Sequence, residues 1–143
     1  MDRELVAEKL ESLRHCVERI EERCPVQLDV LEESLDHQDI VALNLTRAVQ
    51  LSVDIAAHFI ASHSMPPPQT MGEAFLQLQT GGILDQALSE RMRKAVGFRN
   101  IAVHNYEVIN WRIVHQICRH HLSDFKDFAQ LFSKMLNAGN GSA

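Results

Sequence analysis

Apolar residues recur at intervals of three and four along the first part of the chain, a pattern typical of an amphipathic helix. The predicted helix extends from Asp2 to about Arg23, because Pro25 cannot continue it. Its apolar stripe consists of Val6, Leu10, Leu13, Val17 and Ile20. The acidic segment that follows, through Leu35, is predicted to be a linker, with Asp36 as the N-cap of the next helix.

A second and more apolar helix is predicted from Asp36 to His63, and its polar side chains lie close together on one side. At about 100° per residue, four of them fall within an arc of about 80° that also contains Leu51. This polar stripe consists of Asn44, Arg47, Asp54 and His58. Since buried polar groups need partners, the stripe faces either solvent or a second polar surface. In the second case, we expect it to lie opposite Arg99 and His104 and to support them.

Proline and glycine divide the middle of the chain. Pro66–Pro68 interrupts the helical pattern, and Gly81–Gly82 does so again further along. Between them, Thr70 and Glu73 have the spacing of a capping box. This spacing predicts a short third helix that ends at about Gln79.

Two further helices are predicted in the last part of the chain. One begins near Asp85 and contains Gly97, which indicates a close approach to another helix because glycine otherwise destabilises a helix interior. The other begins at Trp111 after the predicted N-cap Asn110 and continues to about Leu136. Its apolar stripe includes Val114, Ile117, Cys118, Phe125, Phe128 and Phe132.

These patterns predict one domain. The sequence contains no strand pattern, internal repeat or low-complexity block. At 143 residues, the chain is long enough to bury roughly two-thirds of its unfolded surface. We therefore predict an all-α, up-and-down bundle of four to five helices over residues 1–137, with residues 138–143 as a disordered tail.

Composition places the chain among globular proteins, with 45% apolar and 23% charged residues. No apolar run approaches the roughly 18 residues of a membrane span, and the first residues do not resemble a signal peptide. We therefore expect a cytoplasmic protein without membrane contact. The three cysteines, Cys16, Cys24 and Cys118, lack C-x-x-C spacing and are expected to be reduced thiols.

Charge is unevenly distributed along the chain, which has a net charge of −5. The first 36 residues contain 11 of the 19 acidic and 5 of the 14 basic residues, so the remainder is slightly positive. From Arg91 to Tyr106 there is no carboxylate, whereas Arg91, Arg93, Lys94 and Arg99 are basic. Such a segment can receive a phosphate group, although a solvated helix face explains the first three residues equally well.

The eight histidines do not have the spacing of a metal site. His58 and His63 are five residues apart, as are His115 and His120, so neither pair has the i,i+4 geometry of a zinc-binding helix. A glycine-rich phosphate loop is also absent from the sequence. We therefore predict no metal site and no cofactor.

Side chains that can bind an anion or transfer a proton are concentrated in the segment from Phe98 to Tyr106. Arg99 can bind an anion, and His104 can carry a proton near neutral pH. On a continuous helix these two residues are about 140° apart, whereas the Asn100 amide is four residues before His104 and could hold its imidazole in one tautomer. Two arrangements would bring Arg99 and His104 to one phosphate. The helix could unwind at His104, or two copies of the chain could meet across a two-fold axis.

These residue types suit cleavage of RNA without a metal. A histidine can take the proton from a ribose 2′-OH or give one to the leaving oxygen, and an arginine can neutralise the charge that develops on the phosphorane. Since DNA lacks the attacking hydroxyl, the predicted substrate is RNA and not DNA. The expected products are a 2′,3′-cyclic phosphate and a 5′-OH end.

The segment Arg99–Tyr106 resembles the R-x4-H-x-Y motif of HepT toxins, a branch of the HEPN ribonucleases. The resemblance continues in the segments 44–47, 54–58, 97–100 and 120–125. It implies a helical homodimer with a composite RNase cleft, in which Arg99 and His104 are the catalytic pair. The residues assigned to support this pair are Arg47, Asp54, His58, Asn100 and Asn105.

The same resemblance implies a cognate antitoxin, the minimal nucleotidyltransferase MntA, which transfers AMP from ATP to the motif tyrosine, here Tyr106. Each AMP would add bulk and negative charge two residues from His104. If the helix continued, Tyr106 would lie about 20° from Arg99, and the added phosphate could also occupy the guanidinium. Asn105 departs from the family pattern, in which aspartate is equally expected, and it leaves His104 without an adjacent carboxylate.

Two other functions remain open at this stage. The chain could be a non-catalytic helical subunit that binds a nucleotidyltransferase and presents substrate to it, or a plain dimeric scaffold. The complete motif favours the toxin of a type VII toxin–antitoxin system, with tRNA and mRNA both open as substrates.

Overall fold

The computed structural model describes the backbone of residues 1–141 and the side chains of residues 1–138, and this part of the chain forms seven α-helices. Their bounds are α1 Arg3–Arg23, α2 Leu28–Glu33, α3 Leu35–Ser62, α4 Met71–Thr80, α5 Gln86–His104, α6 Trp111–His120 and α7 Leu122–Gly141. A short 3₁₀ turn, Tyr106–Val108, connects α5 to α6. The all-α prediction is confirmed.

The central element of the bundle is α3, which packs against α1, α2, α4, α5 and α7. Phe59 of α3 meets Phe132 of α7 edge to face, with ring centroids 5.7 Å apart, and Phe75 of α4 meets Phe128 at 5.8 Å. In the described part of the chain, α3 is the one helix long and apolar enough to cross a membrane. Because 56% of its most apolar window is buried, this composition is explained by its central place in the core.

The interval between α1 and α3, predicted to be a linker, contains the short helix α2. Leu31 of α2 is fully buried, and the amide nitrogen of Gln38 donates to the carbonyls of Leu31 and Glu32 at 3.0 and 3.1 Å. The N-cap of α3 is Ser34, whose hydroxyl accepts from the backbone N–H of His37, so the prediction of Asp36 as the cap is wrong by two residues. A helix of six residues is too short to show a periodic apolar pattern in the sequence. Its stability comes from packing against the rest of the bundle.

The predicted last helix is divided at His121 into α6 and α7. The apolar spacing of seven residues from Cys118 to Phe125 fits a continuous helix, so the pattern does not show the break. The break allows α6 to pack against α2 while α7 packs against α3 and α5. The helical backbone of α7 continues to Gly141, into the predicted disordered tail, because each added residue extends the hydrogen-bonded helix. Residues 142 and 143 lie outside the described residues.

Within the chain, Gly97 does not mark a close approach between helices. It is exposed, and a methyl group built on its Cα would have no atom of another helix within 4 Å in the described residues. The predicted approach within the bundle is therefore wrong. By contrast, the predicted capping residues Thr70 and Asn110 accept backbone hydrogen bonds in the first turn of their helices, as does Asp85, near which the next helix was predicted to begin.

Candidate functional site

The segment from Phe98 to Tyr106 forms the end of α5 and the start of the 3₁₀ turn that follows it. Buried Phe98 anchors this end of the helix in the core, and the backbone N–H of Asn105 closes the last turn on the carbonyl of Ile101 at 2.8 Å. The helix is therefore continuous through both Arg99 and His104, which project about 140° apart. The first of the two predicted arrangements, unwinding of the helix at His104, is not observed.

Arg99 is turned toward the middle of α3. One terminal nitrogen lies 3.5 Å from the side-chain oxygen of Gln50, and the other donates to the side-chain oxygen of Asn100 at 3.2 Å. Its Nε is buried and has no hydrogen-bond partner in the described residues. Among the ion pairs of these residues none involves Arg99, so its charge stays available to an anion.

Gln50 connects Arg99 to a chain of charged groups. Its amide nitrogen donates to the Asp54 carboxylate at 2.9 Å, and the other oxygen of Asp54 lies 3.4 Å from the Lys9 ammonium of α1. Because the Gln50 amide nitrogen is engaged by Asp54, its oxygen is left facing Arg99. Asp54 therefore reaches the guanidinium indirectly, through one intervening amide.

His104 lies at the exposed end of α5 and has no side-chain hydrogen bond in the described part of the chain. The expectation that Asn100 would fix its tautomer is wrong in this structure, because the Asn100 oxygen is directed to Arg99 instead. Asn105 serves as the C-cap residue and is exposed. An exposed imidazole is free to meet a group from outside the chain.

The four side chains of the polar stripe do not share one environment. As a group they face neither solvent nor a single polar surface. Asn44 is buried and donates to the Ile40 carbonyl of its own helix at 2.8 Å. His58 accepts from the backbone N–H of Asp2 at 2.9 Å, so it is directed to the start of α1. Arg47 is exposed beside α1 in a surface hollow. Of these four side chains, only Asp54 is connected to Arg99, through Gln50, and no hydrogen bond of the described residues joins the stripe to His104. The supporting role of the stripe stays a prediction.

Tyr106 leaves the line of α5 and turns toward the first turns of α3. Its hydroxyl donates to the Asp39 carboxylate at 2.7 Å, and its ring meets that of Trp111 with centroids 5.9 Å apart. Partial burial, together with the hydrogen bond to Asp39 and the negative charge of that carboxylate, raises the pKa of Tyr106. The phenol is thus held protonated, with an acceptor for its proton already in place.

This position corrects the expectation that Tyr106 lies about 20° from Arg99, which required a continuous helix. The two residues contact α3 at Asp39 and at Gln50, eleven residues apart. At 1.5 Å per residue, these contact points are separated by about 16 Å along the helix axis.

The described part of the chain contains no cluster of three or more metal-ligating side chains. A separate groove of about 470 Å³ lies between α5 and the last two helices. The Arg91–Asp124 ion pair, with 2.7 Å between Nε and the carboxylate, lies at this groove, and exposed Ile101 and Ile113 line it. The groove is mostly apolar and does not include Arg99.

Comparison with known proteins identifies the family. The family model for HepT-like ribonucleases matches residues 13–132, which is most of the chain. The chain belongs to the HepT-like ribonuclease family. The mRNA nuclease HepT of Shewanella oneidensis is 35% identical to this chain over 127 residues, covering 87% of this chain and 93% of its own length.

Two solved structures are similar to this HepT-like chain over nearly its whole length. One is the tri-AMPylated Shewanella oneidensis HEPN toxin in complex with MNT antitoxin, at 31% identity and a TM-score of 0.85, covering 94% of this chain and 98% of that chain. The other is a toxin–antitoxin structure with AMP-PNP, at 30% identity and a TM-score of 0.86, covering 92% and 98%. The predicted family, helical fold and toxin-type endoribonuclease function are confirmed.

Sequence reasoning missed two residues that contact the predicted site of this HepT-like chain. Gln50 contacts Arg99, and Asp39 holds Tyr106. The i,i+4 spacing of Gln50 and Asp54 was a usable signal, since such pairs hydrogen-bond on a helix surface. For Asp39 no local signal existed, because its contact depends on where α5 ends.

Proposed function

We propose that two copies of the bundle of residues 1–137 form a composite, metal-independent endoribonuclease site, in which Arg99 and His104 are the catalytic residues. The observation that carries this proposal is the continuity of α5, which directs Arg99 toward α3 and leaves His104 exposed about 140° away. A second copy related by a two-fold axis supplies the missing member of each pair. Arg99 forms no ion pair in the described residues, which supports its role as the phosphate-binding group.

In the proposed reaction, His104 takes the proton from a ribose 2′-OH, and the oxygen attacks the adjacent phosphorus. The bond from phosphorus to the 5′-oxygen breaks, and this oxygen receives a proton from an imidazolium. Arg99 neutralises the charge that develops on the phosphorane. The products are a 2′,3′-cyclic phosphate and a 5′-OH end, and mRNA is the first substrate to test because the Shewanella oneidensis relative is an mRNA nuclease.

The proposal includes regulation in the cytoplasm by an MntA-type nucleotidyltransferase antitoxin that transfers AMP to Tyr106. The AMPylated state of the similar Shewanella oneidensis toxin in its antitoxin complex supports this part. Tyr106 is exposed enough to be reached, with 40% of its surface accessible. The added phosphate places a negative charge two residues from His104, where it repels the RNA backbone.

The test is a cleavage assay on RNA in excess EDTA, with the product ends identified by mass spectrometry. We expect Arg99→Ala and His104→Ala each to lower cleavage by at least about 100-fold while the fold is retained. The wild-type chain should also arrest growth when expressed without its antitoxin. Cleavage that requires a divalent metal, or a His104→Ala variant as toxic as the wild type, contradicts the proposal.

Mixing the two inactive variants tests whether the site is composite. A mixed dimer of Arg99→Ala and His104→Ala subunits retains one intact arginine and one intact histidine on different chains. If these two groups act together, we expect recovery of up to about a quarter of the wild-type activity after random subunit exchange. If both groups of one chain act alone, the mixture stays inactive.

A further inference from the structure

The hydrogen bond between Tyr106 and Asp39 lies outside the proposed cleavage chemistry. Its length of 2.7 Å and its position between the 3₁₀ turn and α3 make it a tertiary contact that fixes the phenol oxygen. Both residues remain exposed, so an external reagent can reach the oxygen. The ring of Trp111 packs against the phenol ring, edge to face. The phenol oxygen of Tyr106 therefore has a defined location and a charged hydrogen-bond partner.

A shallow pocket of about 430 Å³ adjoins this pair on the side of α1. Asp39 forms part of its wall, and Arg23 at the end of α1 is the cation that lines it. The titratable groups around Asp39 are Arg23 and Tyr106, with Asp36 and His37 on its own helix and Glu107 next to the tyrosine. The wall of this pocket thus carries the guanidinium of Arg23 next to the carboxylates of Asp36 and Asp39.

We propose that Asp39 accepts the proton of the Tyr106 hydroxyl while that oxygen attacks the α-phosphate of a nucleoside triphosphate. This inference rests on the proposed modification of Tyr106 and adds a residue from the modified chain to the reaction. The bond from the phenol oxygen to the α-phosphorus forms, the bond from that phosphorus to the bridging oxygen breaks, and pyrophosphate leaves. The proton passes to the Asp39 carboxylate. Because the carboxylate is in contact already, the neutral phenol reacts without first losing its proton to solvent.

The direction of the Tyr106 pKa is consistent with this role. Partial burial, the hydrogen bond to Asp39 and the charge of Asp39 together raise the pKa of Tyr106, so the fraction of free phenolate near neutral pH is smaller than for an ordinary tyrosine. If the reaction required free phenolate, Asp39 would therefore slow it, because Asp39 keeps the hydroxyl protonated. A carboxylate in this position speeds the reaction only if it receives the proton.

The experiment measures incorporation of AMP from α-labelled ATP into the purified full chain by its cognate nucleotidyltransferase. The variants are Asp39→Asn, Asp39→Glu and the matched control Asp36→Asn, a change of charge one turn earlier on α3. We expect Asp39→Asn to lower the incorporation rate by at least about tenfold at neutral pH, and Asp39→Glu to retain more of the rate than Asp39→Asn. Asp36→Asn should keep the wild-type rate, since it does not contact the phenol.

The pH profile separates proton transfer from a structural role. Without the carboxylate, the pKa of Tyr106 falls toward its ordinary value, and attack depends on the phenolate that forms as the pH rises. The rate ratio of wild type to Asp39→Asn should therefore narrow from about pH 7 to about pH 9, with enzyme effects cancelling in the ratio. A ratio that stays constant with pH, or faster incorporation in Asp39→Asn, overturns the inference.

Two controls keep this inference separate from the proposed function. Unmodified Asp39→Asn should cleave RNA like the wild type, which shows that it is folded and dimeric. If Tyr106→Phe accepts the same amount of AMP, the proposed modification site itself fails. If only Tyr106 is labelled and Asp39→Asn reacts like the wild type, the proposed role of Asp39 fails while the proposed modification of Tyr106 stands.

Discussion

At the scale of single residues, the guanidinium of Arg99 is held by neutral amide oxygens and not by a carboxylate. Gln50 and Asn100 supply these oxygens, and the nearest acid on this path, Asp54, contacts Gln50 instead. A carboxylate in direct contact would neutralise the arginine, whereas an amide orients it and leaves the charge for a phosphate. We therefore expect Gln50 to orient the guanidinium of Arg99.

The first prediction concerns Gln50→Leu, which removes the amide between Asp54 and Arg99. We expect kcat for RNA cleavage to fall by about fivefold, corresponding to about 1 kcal/mol, with KM little changed. Asp54→Asn should lower cleavage in the same direction while dimerisation is retained, because it weakens the hydrogen bond that orients Gln50. Steady-state kinetics on a defined RNA measure both effects.

The matched control is Gln86→Leu, because Gln86 also donates from its amide to a carboxylate four residues later, Glu90, at the far end of α5. It should cleave RNA like the wild type. In an Arg99→Ala background, Gln50→Leu should cause no further loss, since its effect passes through the guanidinium. An additive loss in the double variant would show that Gln50 acts independently of Arg99.

The residues of the candidate site were predictable from sequence to the extent that their chemistry is local. Arg99, His104 and Tyr106 follow from a compact motif, and their order along α5 gives the angle between the first two. The partners of these residues, Gln50 and Asp39, lie about fifty and seventy positions away, where no periodic pattern joins them. Such contacts depend on how α3 and α5 cross, and a hydrophobic pattern does not determine this at the level of single side chains.

At the scale of elements, the long amphipathic helices were predictable, and the short helix was not. The bounds of α1 and α3 differ from their predictions by no more than one residue, since long apolar stripes mark them. The helix α2 depends on tertiary contacts from the flanking elements. His115 of α6 shares its Nε2 between the carbonyls of Pro25 and Val26, and Gln38 caps the last turn of α2.

The second prediction is that Gln38→Leu destabilises the fold by loosening α2. The substitution leaves the Leu31 carbonyl without its buried donor, which should cost about 1–3 kcal/mol. Urea unfolding at a fixed protein concentration measures the change. Gln130→Leu, at an exposed position of α7, serves as the control and should unfold like the wild type. Equal midpoints for the two variants would show that α2 does not need this cap.

At the scale of the whole molecule, the exposed side of α5 carries Gly97, Asn100 and His104 close together. Gly97 has open space above its Cα within the chain, although glycine weakens a helix at this position. In the proposed dimer, this space admits an element of the second copy near His104. The close approach expected from the sequence would then occur between chains.

The third prediction follows from this arrangement. Gly97→Leu should stabilise the isolated chain by about 1 kcal/mol through helix propensity, yet weaken the dimer by filling the space for the partner. Sedimentation measures the dissociation constant, and RNA cleavage should fall in parallel. Ala87→Leu, an exposed substitution in the first turn of α5, should change neither. A Gly97→Leu variant that dimerises like the wild type would exclude this side of α5 as the interface.

Because α3 contacts both Arg99 and Tyr106, the number of residues between its two contact positions matters. Asp39 and Gln50 are separated by eleven residues, just over three whole turns, so both project from the same side of the helix toward α5 and the turn that follows it. Inserting or deleting one residue between them would rotate one of the two by about 100° relative to the other. The spacing between these two positions, and not only their side chains, therefore keeps the contacts to Arg99 and to Tyr106 on one side of α3.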